Sequence, residues 1–214
     1  MARESTQRAA ESKLHLKSRR APVQEIDAIE ENPIKLAKQD ATRVIEGLQR
    51  VLGTAYTLYH QYKKHQVVFV GPQFKQIEQV LQMVGVETEA LASEAAERIH
   101  ILGAIPAMNQ DSLTASSIFA PEPEGALNLR TMLENDVKAE AALARLMRET
   151  VDVAIKAGDY GTEDLLKRTL RVQEKHTYFV GAFLERESLN LQLAGVMTEN
   201  PEHGPQEQGR KNGK

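Results

Sequence analysis

The chain has no cysteine and no tryptophan, and only 5% of its residues are aromatic. Without thiols there is no disulfide scaffold, no thiolate zinc site and no cysteine nucleophile, a usage that suits a reducing compartment. Long apolar runs are missing as well. Nothing approaches the roughly 18 residues of a membrane span, and the basic N-terminus lacks the apolar segment of a signal peptide. A cytoplasmic protein with no membrane partner is expected. Nor does charge of one sign dominate: the formal net charge is -3 over 214 residues, so any contact with nucleic acid must be local. Glycine-rich phosphate loops and serine or cysteine triads are absent too.

What remains is rich in alanine, leucine, glutamate and lysine, a balance that favours an all-α protein. Residues 1–32 form a polar arm with Arg3, Arg8, Lys13, Lys17, Arg19 and Arg20 but no sustained apolar stripe. Such side chains contact phosphates without sequence specificity, so the arm is a candidate DNA contact; its acidic residues, among them Glu25, Asp27, Glu30 and Glu31, argue for a plain solubilising tail. Asn32-Pro33 marks a turn and opens the domain expected over residues 33–196, and residues 197–214 read as a disordered tail.

Within the domain, Val44, Leu48, Val51, Ala55, Leu58 and Tyr62 recur at helical spacing and predict a first helix from an Asp40 N-cap to about Gln66. Gly71-Pro72 punctuates the chain. A second helix to about Leu102 presents Phe74, Ile77, Leu81, Val84, Leu91, Ala95, Ile99 and Leu102 on one side. The proline- and serine-containing stretch from Gly103 to Pro123 is a long connection, with room for one short helix. A third helix is expected over about 126–157, with Leu129, Met132, Leu133, Val137, Leu143, Met147, Val151 and Ala154 inward and Gly158 as its C-cap. Thr162 is the expected N-cap of a fourth, with Leu165, Thr169, Val172, His176, Phe179 and Phe183 inward. Four long helices with a long crossover between the second and third describe a ferritin-like four-helix bundle.

Such bundles often hold two metal ions inside, using paired Glu-x-x-His motifs. Here Glu97 and His100 alone show that spacing. They lie on a polar line of the second helix, with Glu78, Gln82, Glu89 and Ser93, roughly 140° from its apolar side at about 100° per residue. No metal site inside the bundle is therefore expected, and His176 reads as a core histidine with one hydrogen bond. A solvated face is the plain reading of the polar line.

The blocks LYHQYKKHQVVFVGPQF, EAAERIHILG, PEGALNLRTMLENDVKAE, AGDYGTEDLL and QEKHTYFVGAFL resemble, in order and spacing, consecutive blocks of the Dps family, the DNA-binding ferritins of starved cells. The resemblance covers most of residues 55–185. It implies a hollow homododecamer that oxidises ferrous iron, preferably with peroxide, and stores ferric mineral, with the ferroxidase site at a two-fold interface between bundles. The family's ligand positions fall on Gln66, Glu78, Gln82, Ser93 and Glu97, and only Glu97 keeps the family's residue. Glu78 and Gln82 are separated from Ser93 and Glu97 by about 15 residues, near 22 Å along one helix at about 1.5 Å per residue, so they can share an ion only across an antiparallel mate. The resemblance thus implies iron, or another divalent metal, held by Glu78 and Glu97 of neighbouring chains with Gln82, Gln66, His65 or His100 assisting. It also places Asp159, Glu163 and Asp164 at acidic three-fold pores, beside the alternative that they simply cap the fourth helix. A second reading is a non-catalytic shell or nucleoid-binding protein that has lost the centre.

Overall fold

The computed structural model describes residues 21–71 and 73–185. The DNA-arm residues Arg3, Arg8, Lys13, Lys17, Arg19 and Arg20 and the C-terminal tail lie outside the described residues.

Among the described residues five helices follow one another: α1 Lys38–Val68, α2 Phe74–Ile101, α3 Gln110–Ser116, α4 Leu129–Ala157 and α5 Tyr160–Ala182. Contacts fix their directions. His65 meets Asp136 while Tyr62 meets Glu140, so α1 and α4 run antiparallel. Arg98 meets Asp159 and Glu87 meets His176, so α2 and α5 do too. The α1–α2 and α4–α5 pairs are hairpins, and α2 therefore ends at the opposite end of the bundle from the start of α4. The crossover must run the bundle's length, about 40 Å for helices of this size. Short α3 rides on it against α1, as expected of a bundle with a long second connection.

The apolar stripe expected for α1 is wholly inside: Val44, Leu48, Val51, Ala55, Leu58 and Tyr62 are all fully buried. The stripe of α2 is inside except for Phe74, which is 43% exposed and stacks on Phe69 with ring centroids 5.4 Å apart. Helix starts differ from the sequence expectation. Helix α1 begins at Lys38, placing Asp40 in its first turn rather than at the cap, where its charge still faces the positive end of the helix dipole. Helix α5 is capped by Asp159, whose carboxylate accepts from Thr162 N at 3.0 Å and Thr162 Oγ1 at 2.6 Å. Thr162 thus receives the cap instead of making it. At the other side of that turn Gly158, at φ 70°, closes α4 in the left-handed conformation expected of it.

The segment before α1 is tied down. Gly103, just past α2, offers its carbonyl to Glu30 N at 2.9 Å and to Gln24 Nε2 at 2.8 Å, so the last part of the expected arm docks on the bundle. Asn32 is buried and its side chain accepts from Leu36 N and donates to Leu36 O, making the turn read from Asn32-Pro33. Gly103 sits at φ 96°, and a Cβ there would drive into the Glu30 carbonyl. Gly103→Ala is expected to cost about 2 kcal/mol or more, from the left-handed strain plus the collision. The urea midpoint measures it, and a loss below about 0.5 kcal/mol would show that the docking is loose.

Candidate functional site

Within the hydrophobic core, three long helices place polar side chains where a bundle ordinarily has apolar ones. Gln61, Tyr62 and His65 from α1, Asp136 and Glu140 from α4, and Gln173 and His176 from α5 are all buried. Two more carboxylates reach them from outside, Glu122 from the crossover and Glu87 from α2.

These groups form two carboxylate–imidazole–carboxylate chains. In the first, His65 Nδ1 lies 2.9 Å from Asp136 Oδ2 and Nε2 lies 2.9 Å from Glu122 Oε2. With both carboxylates ionised, two acceptors call for two N–H donors, so this arrangement favours the imidazolium form of the ring. Gln61 donates to the other Asp136 oxygen at 2.8 Å, and Asn135 and Lys64 hold Glu122 from the surface side. In the second, His176 Nε2 lies 2.5 Å from Glu87 Oε2, and Nδ1 lies 3.3 Å from Glu140 Oε1, too poorly aligned for a hydrogen bond. Tyr62 donates to that same Glu140 oxygen at 2.5 Å. Asp136 and Glu140 stand one turn apart on α4 and link the two chains.

Burial lowers the affinity of both imidazoles for a proton, but bonds and charges from Asp136 and Glu122 outweigh it at His65, and the facing Glu140 carboxylate with the bond and charge of Glu87 outweighs it at His176; both pKa values rise. Burial raises Asp136 and Glu140 despite their histidine partners. It also raises Tyr62, together with the Glu140 and Asp136 charges, keeping the phenol neutral. Glu122 alone moves down, because Asn135, His65 and Lys64 overcome its desolvation.

These shifts fix a sign. A raised pKa means that the native state holds protons the unfolded chain has released, so stability falls as pH rises. For the histidines the contribution is full below about 6.5 and is lost as pH climbs through the raised folded values. Asp136 and Glu140 act the same way from their lower unfolded values, and the opposing Glu122 term is complete above about pH 4.5. The urea midpoint is therefore expected to fall from about pH 6 to about pH 9, and His65→Gln/His176→Gln should flatten that slope. A midpoint that rises over this range would refute the charge assignment.

The residues proposed from the sequence lie elsewhere, on the outer side of α2. Gln82, Ser93, Glu97 and His100 are exposed, and Glu78 is half-buried with Lys75 Nζ at 2.7 Å from its carboxylate. His100 Nδ1 stands 3.2 Å from its own chain's Ala104 carbonyl. His65 is committed to the core chain, and Gln66 beside it on α1 has a buried Nε2 without a hydrogen-bond partner. At the α5 turn Asp159 is only 3% exposed and pairs with Arg98 at 2.5 Å, which leaves Glu163, bridged to Lys167 at 2.5 Å, and exposed Asp164 on the surface. Among the described residues no three His, Asp or Glu side chains converge to hold a metal ion.

The family of ferritin-like domains matches residues 45–189. The chain is 32% identical over 169 residues to a nutrient stress-induced DNA-binding protein of Synechococcus, covering 79% of this chain and 96% of the relative. A second protein of that description, from Nostoc, is 31% identical over 79% of this chain and 92% of its own. The chain belongs to the Dps family of ferritin-like proteins. The crystal structure of an archaeal Dps homologue from Halobacterium salinarum superposes with a TM-score of 0.78 at 26% identity, covering 82% of this chain and 98% of that one. As a Dps-family bundle the chain thus has the all-α fold expected from its sequence, while its buried charge chains were not expected. No described helix is long and apolar enough to cross a membrane.

A sequence signal for those chains existed. Asp136 and Glu140 continue the spacing of Met132, Leu143 and Met147, so they belong to the inward stripe of α4. Gln173 precedes His176 by three residues, a glutamine version of the inward-facing Glu-x-x-His.

Proposed function

We propose that this Dps-family chain assembles into a cytoplasmic homododecameric shell that takes up ferrous iron, oxidises it and stores the ferric product, limiting peroxide damage. Iron is the substrate and cargo. One observation supports this reading: Glu78 and Glu97 both lie outside the buried set of α2, so an antiparallel two-fold mate would bring the Glu78 end of one chain beside the Glu97 end of another. Two carboxylates from different chains suit a ferrous ion, with Gln82 as a weak neutral donor and Gln66 or His100 near it. Each ferrous ion gives up one electron, so two are oxidised for every peroxide reduced to water, or four for every dioxygen, and the shell retains the hydrolysed ferric product. Acidic Glu163 and Asp164 near the α4–α5 turn would draw cations towards an entry path when repeated by symmetry.

Native mass spectrometry of the shell tests assembly. Ferric absorbance after adding ferrous iron with peroxide or dioxygen, against protein-free buffer, tests the chemistry; no acceleration by an assembled shell would remove the ferroxidase reading.

A specific observation favours a second reading. Gln82 and Ser93 are neutral and Glu78 is already bridged to Lys75, so a shell without catalysis, acting on DNA through Arg3, Arg8, Lys13, Lys17, Arg19 and Arg20, is the alternative. The DNA-binding names of its relatives support that contact. Gel shifts of the full chain and a chain lacking residues 1–20 decide it: binding lost with the arm supports the contact, and binding unchanged sinks it.

A further inference from the structure

We infer that the apolar patch at the α1–α2 hinge is the docking surface of this chain's own C-terminal segment, residues 189–197. The inference is independent of any iron chemistry.

Three large apolar side chains crowd the outside of one hinge. Val67 in the last turn of α1 is 83% exposed, Val70 in the hinge is 85% exposed, and Phe74 at the start of α2 is 43% exposed. The hinge itself is well held. Phe69 N donates to His65 O and Phe74 N to Gly71 O, each at 3.1 Å, and the Phe69 and Phe74 rings stack. Phe69 is buried, so Phe74 carries the core outward to the surface, where the two valines continue it. One exposed valine is ordinary, but apolar side chains grouped on an ordered turn mark a surface that something covers.

The chain supplies a matching segment at the same end of the bundle. Helix α5 runs antiparallel to α2 with His176 beside Glu87. Its last residue, Ala182, therefore stands about level with Leu81, roughly 10 Å along α2 from Phe74 at about 1.5 Å per residue. Phe183 and Leu184 continue against the core. Further on the sequence carries Leu189, Leu191, Leu193, Val196 and Met197 in close succession, and from Thr198 to Lys214 it has no Ala, Val, Leu, Ile, Met, Phe or Tyr. The apolar part of the tail is thus confined to its near end. Leu189 follows Ala182 by seven residues, up to about 23 Å of extended chain, enough to pass the start of α2 at a helix spacing of about 8–10 Å and reach the hinge. A tether this short holds the segment at an effective concentration on the order of millimolar, which favours it over a second copy arriving from solution.

Because the chain has no cysteine, introduced thiols report the contact directly. Full-length Val70→Cys proteins that also carry Leu189→Cys, Leu191→Cys or Leu193→Cys in turn are oxidised with diamide, beside a Val70→Cys/Asn212→Cys control. At least one leucine pair is expected to close a disulfide within the chain at least tenfold faster than the control, read as a monomer of altered mobility on a non-reducing gel. Full-length Leu191→Ser/Leu193→Ser should raise the fluorescence of an apolar-surface dye at least twofold, and adding Val70→Ser should remove part of that gain. Disulfides formed only between chains would assign the patch to a second copy and overturn the inference. Leucine pairs closing no faster than the control, or dye fluorescence unchanged by the leucine substitutions, would overturn it too.

Discussion

Glu97→Ala is expected to bring ferrous iron oxidation by the assembled shell down to the rate in protein-free buffer. The size of the effect follows from how few ligands the proposed site has. Glu97 and Glu78 are its only charged donors, and Gln82 and Ser93 hold ferrous iron far more weakly. Removing Glu97 leaves one carboxylate already bridged to Lys75. Glu97 is also exposed, so its loss should leave the fold intact, with the unfolding midpoint within about 0.5 kcal/mol of wild type. Glu97→Asp, which keeps the charge on a shorter arm, should retain part of the rate. Full activity in a folded Glu97→Ala shell would place oxidation elsewhere, and the core residues Glu140 and His176 would be the first to replace.

Glu140→Ala is expected to be the most destabilising single change in the bundle core, costing about 3–5 kcal/mol. The carboxylate is fully buried, accepts from the Tyr62 phenol and faces the His176 ring. Its removal strands a buried hydroxyl and a buried imidazolium and opens a cavity, each costly. Glu140→Gln should cost less, since the amide oxygen can still accept from Tyr62. Urea unfolding of the two variants at one pH measures the difference, and a loss below about 1 kcal/mol for Glu140→Ala would mean that the buried chain is relaxed by something other than these partners.

The fold was legible because its strongest signals are local. The α1 stripe from Val44 to Tyr62 is uninterrupted at helical spacing, and Gly158 terminates α4 as only a residue tolerant of φ 70° does readily. The crossover was legible as a stretch too long and too rich in proline for a hairpin. Helix α5 was not. Its inner face was expected at Leu165, Thr169, Val172, His176, Phe179 and Phe183, but the buried positions are Thr162, Leu166, Gln173, His176 and Val180. Its apolar residues spread around the helix, because it packs on both α4 and α2, and the buried glutamine interrupts the stripe that periodicity detects.

The core charges were hidden for a different reason. A carboxylate on a helix is ordinarily solvated, and what overrides that expectation at Asp136 and Glu140 lies on other helices: His65 is 71 residues from Asp136 and Tyr62 is 78 from Glu140. Such pairing exists only once the bundle closes. His176 is the core histidine with one hydrogen bond that the sequence led one to expect, but that its partner is the Glu87 carboxylate, with Glu140 beside the other nitrogen, was not legible. For the α2 line the sequence reading relied on spacing and resemblance, and the fold adds that this line faces away from the core, on a helix whose two ends reach opposite ends of the bundle.

Diffraction from crystals of the shell loaded anaerobically with ferrous iron, recorded at the iron absorption edge, tests the central claim most directly. The account predicts iron at each two-fold interface, between Glu78 of one chain and Glu97 of its mate. Iron absent from those interfaces in a shell that still oxidises it would contradict the account.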